Sequence, residues 1–208
     1  MSRLGAGLAR AATVAVALAG LSGSAGAHLV QTGFGAFYDG VVHLVITPAD
    51  VLVVVALGLY AGQRGKRAAR ALLLVLPGAW LLGGLVGTWF PGASELPLAS
   101  AASVTLAGVL LATSAPLPHA ATIALGALAG ALHGAIGGAI DGTTMTTGGW
   151  DVLGRLGAAA TVFAAVALLS AAVVSLRGTG PRIAVRVAGS WIGAVGLLML
   201  GWLARPGG

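Results

Sequence analysis

The 208-residue sequence contains no cysteine, which excludes disulfides, zinc–thiolate sites and iron–sulfur clusters. Charge is nearly as scarce. Only 8% of the residues are Asp, Glu, Lys or Arg, against roughly 25% in a soluble domain. So few charges cannot cover a water-facing surface of this length. The catalytic signatures are missing as well. No phosphate-binding loop is present, so the chain cannot hydrolyse a nucleotide by itself. There is no HExxH pair, no paired catalytic carboxylate set, and Gly189-Ser190-Trp191 is not a G-x-S-x-G elbow. Neither an enzyme nor a resident prosthetic group is expected.

What is present is apolar. Hydrophobic residues make up 58% of the chain and the mean hydropathy is +1.00. The apolar runs recur along the whole length, which excludes a soluble domain with one anchor. Thirty-five glycines show no G-X-Y period and lie inside these runs, where glycine lets neighbouring helices approach. A pI near 11.4 would suit a nucleic-acid binder. The basic residues, however, sit in short loops between apolar runs, where they act as topology signals, and no nucleic-acid partner is expected.

Arg3 and Arg10 form a positive leader, Ala11 to Leu21 an apolar stretch, and Ala25-Gly26-Ala27 an A-x-A cleavage site. Residues 1–27 therefore read as a signal peptide and 28–208 as a single transmembrane helical domain. Cleavage makes His28 the new N-terminus, with an α-amine and an imidazole that can chelate a metal together.

Six apolar segments follow, at about 35–62, 71–90, 98–113, 118–141, 152–176 and 187–203. Most approach the ~20 residues that cross the hydrocarbon, and the third is short. The expected fold is all-α, a polytopic bundle of about six transmembrane helices in the lipid bilayer. Segment one is interrupted at Thr47-Pro48-Ala49-Asp50. Thr47 suits an N-cap, Pro48 the first helical position and Asp50 the first turn. This predicts either two helices or one kinked helix. In segment four, Gly126, Gly130, Gly134, Gly138 and Gly142 recur every four residues. Such a stripe allows close packing and predicts a helix central in the bundle.

Orientation follows from the positive-inside rule. Arg64, Lys66, Arg67 and Arg70 follow segment one, and Arg177, Arg182 and Arg186 precede segment six. With the mature N-terminus outside, in the periplasm, all seven fall on the cytoplasmic side of the cell (inner) membrane, and only Arg155 and Arg205 fall outside. Trp89, Phe90, Trp150 and Trp202 then lie near the outer interface, where amphipathic rings prefer to sit.

A charge inside the hydrocarbon costs at least ~2.5–3.5 kcal/mol, so each one is a functional candidate. Asp39 and His43 are spaced i, i+4 on one helix face. His133 and Asp141 lie about two turns apart in segment four. Together with His28, these residues share the outer half of the membrane. Imidazole and carboxylate suit Ni²⁺, Co²⁺, Zn²⁺ or Cu²⁺, so the metal candidates are His28, Asp39, His43, His133 and Asp141. The competing arrangement pairs Asp39 with His43 and ties His133 to a backbone carbonyl. Asp50 reads as a helix cap and His119 as interfacial.

The cleavage site just before His28, the stretch GFGAFYDGVVHL and the small-residue helix carrying HGAIGGAID resemble the HupE/UreJ family. These are bacterial membrane proteins associated with hydrogenase and urease maturation, several of them regarded as nickel/cobalt permeases with six helices after signal cleavage. Better-known members carry H-P…G-x-D-H with adjacent Asp and His. Here Gly40-Val41-Val42 separates Asp39 from His43 and no proline follows His28, as in a divergent branch. The resemblance implies Asp39, His43 and His133 as metal ligands and a permease for a divalent transition-metal ion, with Ni²⁺, or else Co²⁺, as cargo. A non-transporting metal-binding or scaffolding accessory protein is the alternative. Homo-oligomerisation is left open.

Two outcomes are expected from this reading. N-terminal sequencing of the membrane-inserted protein should begin at His28. With single cysteines at Gly65, Thr179 and Gly208, an impermeant thiol reagent applied to intact cells should label only Gly208→Cys. Labelling of Gly65→Cys would reverse the orientation.

Overall fold

The computed structural model describes residues 32–90, 93, 96–143 and 152–205, with side chains described up to 140 and again from 152. The signal-peptide assignment, His28 and Trp150 lie outside these residues. Seven α-helices occur in the order α1 (Ala36–Ile46), α2 (Pro48–Gln63), α3 (Lys66–Gly87), α4 (Pro97–Thr113), α5 (His119–Thr143), α6 (Val152–Ser175) and α7 (Thr179–Leu203), and no strand appears among the described residues.

Segment one is two helices. Pro48 has no N–H to continue α1, and its ring pushes Thr47 into extended backbone, φ −91° and ψ 103°. The two helices bend by 81° at this break. Thr47 makes no side-chain cap bond to α2. It turns back instead: its N–H and its Oγ1 both donate to His43 O, at 3.1 and 2.8 Å. Thr47 thereby closes the last turn of α1 on His43 O, and the N–H that Pro48 lacks is the one that would have served Leu44 O.

The helices α3, α5, α6 and α7 are long and apolar enough to cross a membrane, and the bent pair α1–α2 would make a fifth span. At 17 residues α4 is apolar but shorter, so the count of about six spans depends on it. Two helices begin earlier than hydropathy predicts. The start of α3 takes in Lys66, Arg67 and Arg70, and that of α7 takes in Arg182 and Arg186. Hydropathy marks where the hydrocarbon ends, whereas a charged turn continues the backbone hydrogen bonds without penalty.

The core is organised around α2, not α5. Val53, Ala56, Leu57, Tyr60 and Ala61 of α2 are each fully buried, as expected for a helix that is apolar all round. Around it, three helix pairs close through glycine. In the largest, α3–α5, a Cβ on Gly130 would meet Leu76 O, one on Gly134 Trp80 O and one on Gly138 Gly84 O. In the others, Gly108 of α4 meets the backbone at Gly193 of α7, and Gly40 of α1 meets Gly154 of α6. The glycine stripe thus packs α5 tightly on one face only. Its opposite face is exposed, with Leu128 71% accessible, so the expectation that α5 is central does not hold. Small residues decide how close one neighbour comes, and large apolar side chains decide how many neighbours there are.

At the other end of α2, Tyr60 Oη donates to Ala115 O at 2.7 Å and ties the core helix to the turn after α4. Ser114 ends α4 in the left-handed region, φ 53°.

This packing predicts a sharp contrast between two glycines. Gly134→Ala should overpack the α3–α5 contact and lower stability by about 1–3 kcal/mol. Gly78→Ala, where a Cβ meets nothing within 4 Å, should leave stability unchanged or raise it. Thermal unfolding in detergent, followed by gel filtration, separates the two.

Candidate functional site

The break between α1 and α2 places a histidine on one side and a carboxylate on the other. His43 lies in the last turn of α1 and Asp50 in the first turn of α2. His43, Asp50 and His133 of α5 all line one small cavity, together with Trp80, Gly84, Gly137 and Arg155. Its volume is about 30 Å³, where one water needs roughly 10–15 Å³ on the same measure. A single ion or one or two waters fit, and nothing larger does.

His133 is the centre of this arrangement. It is 1% exposed, and both ring nitrogens are engaged: Nδ1 faces Asp50 Oδ1 at 2.7 Å and Nε2 faces Ser103 Oγ at 2.7 Å. Trp80 stacks on the ring, with centroids 5.5 Å apart and planes at 26°. Ser103 has one hydroxyl proton and two acceptors within reach, Ser100 O at 2.7 Å and His133 Nε2. When the hydroxyl turns to the ring, His133 donates Nδ1–H to the Asp50 carboxylate. When it turns to Ser100 O, the ring donates Nε2–H to Ser103 and the remaining proton lies between Nδ1 and Asp50. In both states each ring nitrogen is engaged, so a lone pair is freed only when Asp50 or Ser103 swings off the ring.

Arg155 is the third polar feature. It lies in the first turn of α6, is 7% exposed, and donates from Nη1 to Gly84 O. Its side chain runs beside Gly84, within van der Waals reach of where a Cβ would stand. Sequence position alone suggested an outer-loop cation; the structure buries it against the cavity.

The five metal candidates separate. His43 and His133, 90 residues apart in sequence, reach the same cavity. Asp39 does not line it. Its Oδ1 accepts from Thr32 N at 2.6 Å and from Thr32 Oγ1 at 2.7 Å, fastening the chain that enters α1. The helix backbone includes Asp141, about two turns beyond His133, but its side chain and all of His28 lie outside the described residues. Among the described residues, no three His, Asp or Glu side chains converge into a ready-made ligand set.

Asp50, read as a cap from sequence, is the carboxylate that bonds His133. The signal was a carboxylate two residues after a proline, which is also what an ordinary helix start looks like. Ser103 and Trp80 gave no sequence signal at all. Arg155 did: an arginine within an apolar helix is costly wherever it falls.

No curated protein and no solved structure matches the chain. A sequence model of the family described as HupE / UreJ protein matches residues 16–199, most of the chain, including both sides of the broken helix and the whole of the His133 helix. With its apolar helices, this makes the protein a multi-pass membrane protein. The chain belongs to the HupE/UreJ family, which is associated with nickel or cobalt transport and with urease and hydrogenase maturation.

Proposed function

We propose that the protein is a permease of the inner membrane for a divalent transition-metal ion, nickel or cobalt, with the His43–Asp50–His133 cavity as the place where the ion is held in passage. The observation that carries this reading is the meeting of two imidazoles and one carboxylate at a small cavity beside a broken span. Discontinuous helices are where membrane transporters place ion sites, because the free helix ends and unwound backbone supply polar groups inside the bilayer. Borderline-soft divalent ions take imidazole and carboxylate ligands together.

In the ion-free protein Asp50 and His133 satisfy one another. That removes the penalty of two isolated polar groups in the membrane. Binding an ion would exchange this hydrogen bond for coordination: the carboxylate turns from the ring to the metal, and with Nε2–H held by Ser103 the Nδ1 lone pair is left to the ion. Because the ligands are not pre-assembled, the ion is held weakly enough to leave again, as transport requires. Trp80 fixes the imidazole plane, so that a small rotation of Asp50 opens the site. With the mature N-terminus in the periplasm, the cavity faces the outer half of the bilayer, and the basic turns face the cytoplasm.

Uptake of radioactive nickel into cells, normalised to the amount of inserted protein, tests the proposal. His133→Ala, His43→Ala and Asp50→Asn should each reduce uptake at least tenfold. Asp39→Asn should retain most of it, since that carboxylate serves Thr32. Gly137→Val adds bulk where a Cβ meets nothing within 4 Å, so it should fill the cavity and block uptake without lowering the protein level. If the parent protein transports no nickel or cobalt yet binds either ion in equilibrium dialysis, the accessory-protein reading replaces the permease. If His43→Ala and His133→Ala both transport like the parent, the cavity is not the ion site.

A further inference from the structure

The strongest feature outside the metal cavity is at the opposite end of the bundle. The turn between α2 and α3 and the start of α7 border a cleft of about 510 Å³. Four cations line it: Arg64, Lys66, Arg182 and Arg186. No acidic side chain lines it among the described residues. Of the described acids, Asp50 lies at the start of α2 and the cleft at its end, about 20 Å away at 1.5 Å per residue.

The cations are held in place rather than splayed. Arg64 Nη2 reaches Leu117 O at 3.4 Å, and Arg186 Nε donates to Ala112 O at 2.8 Å, in the last turn of α4, where a helix end favours positive charge. Each guanidinium keeps further N–H donors for a ligand. The starts of α3 and α7 add their own partial positive charge. Both have a glycine N-cap, Gly65 and Gly178, with φ of 92° and 90°, and neither has a side-chain cap bond. Gln63 Oε1 is buried at the same cleft without a hydrogen-bond partner among the described residues, an acceptor that suits a hydroxyl on the ligand. Topology alone asks only that these turns be basic. It does not ask for a cleft between helices with pinned arginines and a spare acceptor.

We infer that this cleft binds a phosphate-ester anion, the headgroup of an anionic phospholipid of the cytoplasmic leaflet. The phosphodiester sits among the four cations, and a headgroup hydroxyl donates to Gln63. Basic pockets between transmembrane helices on the cytoplasmic side bind such headgroups. The inference does not depend on the metal reading, since the cleft shares no residue with the His43–Asp50–His133 cavity.

The test uses the full-length protein in a neutral maltoside detergent, read by thermal unfolding at fixed ionic strength. Short-chain phosphatidylglycerol should stabilise it saturably, and short-chain phosphatidylcholine should not. Lys66→Gln/Arg182→Gln removes two cleft cations and should raise the half-saturating phosphatidylglycerol concentration about tenfold. Arg67→Gln/Arg70→Gln removes two cations that do not line the cleft and should leave it within twofold. Unfolding of both variants without lipid checks that each is folded. Saturable stabilisation by inorganic phosphate alone would sustain the anion site and give its source as the aqueous phase. No saturable effect from either probe, equal stabilisation by phosphatidylcholine, or equal losses in the two double variants would overturn the inference.

Discussion

Pro48 has no N–H to donate, and inside a membrane that single deficit shapes the protein. An uninterrupted helix would satisfy every backbone group and leave no reason for polar side chains to meet. The missing donor ends α1, and the 81° bend turns α2 into the bundle. Thr47 closes the last turn of α1 on His43 O through both its N–H and its hydroxyl. The break also places His43 and Asp50 on the two sides of a discontinuity, facing one cavity. A site between two halves of one span is assembled by local chemistry, before any other helix contributes.

The rest of the site depends on how deeply α5 sits against α3. Gly130, Gly134 and Gly138 bring the two backbones into contact, and that contact fixes the height of His133 and presents Trp80 to its ring. A neighbouring glycine does the opposite job. At Gly137 the absent side chain leaves space rather than a contact. One composition bias therefore builds both close packing and room at the cavity that the histidines line. Which glycine does which is set by a helical offset of a few residues, since positions four apart share a face.

That offset also marks what was legible in the sequence. Helix number and approximate extent follow from hydropathy, because lipid demands long apolar runs with internally satisfied backbones. The glycine stripe was legible as a packing face, but not its partner, and α2 rather than α5 holds the centre. His43 and His133 were legible because an imidazole in an apolar helix has no cheap bland role. Asp50 was not. Its local setting is that of a helix start, and the partner that changes its meaning lies 83 residues away. For Asp39, an i, i+4 spacing put the carboxylate beside His43 among the metal candidates, and the structure gives it a nearer partner, Thr32.

Charge balance at the cavity follows from the same geometry. Asp50 contributes one negative charge and Arg155 one positive, so with neutral imidazoles this set carries no net formal charge before an ion arrives. A dication would leave it at plus two, in a medium where such charge is poorly screened. Arg155 donates to Gly84 O and so ties α6 to α3 at the wall of the cavity. Under the permease reading, a fixed cation in that wall lowers the affinity for a dication compared with an apolar residue in the same place. Ligands that favour the ion and a cation that opposes it would together give shallow binding, which suits an ion in transit better than one in storage.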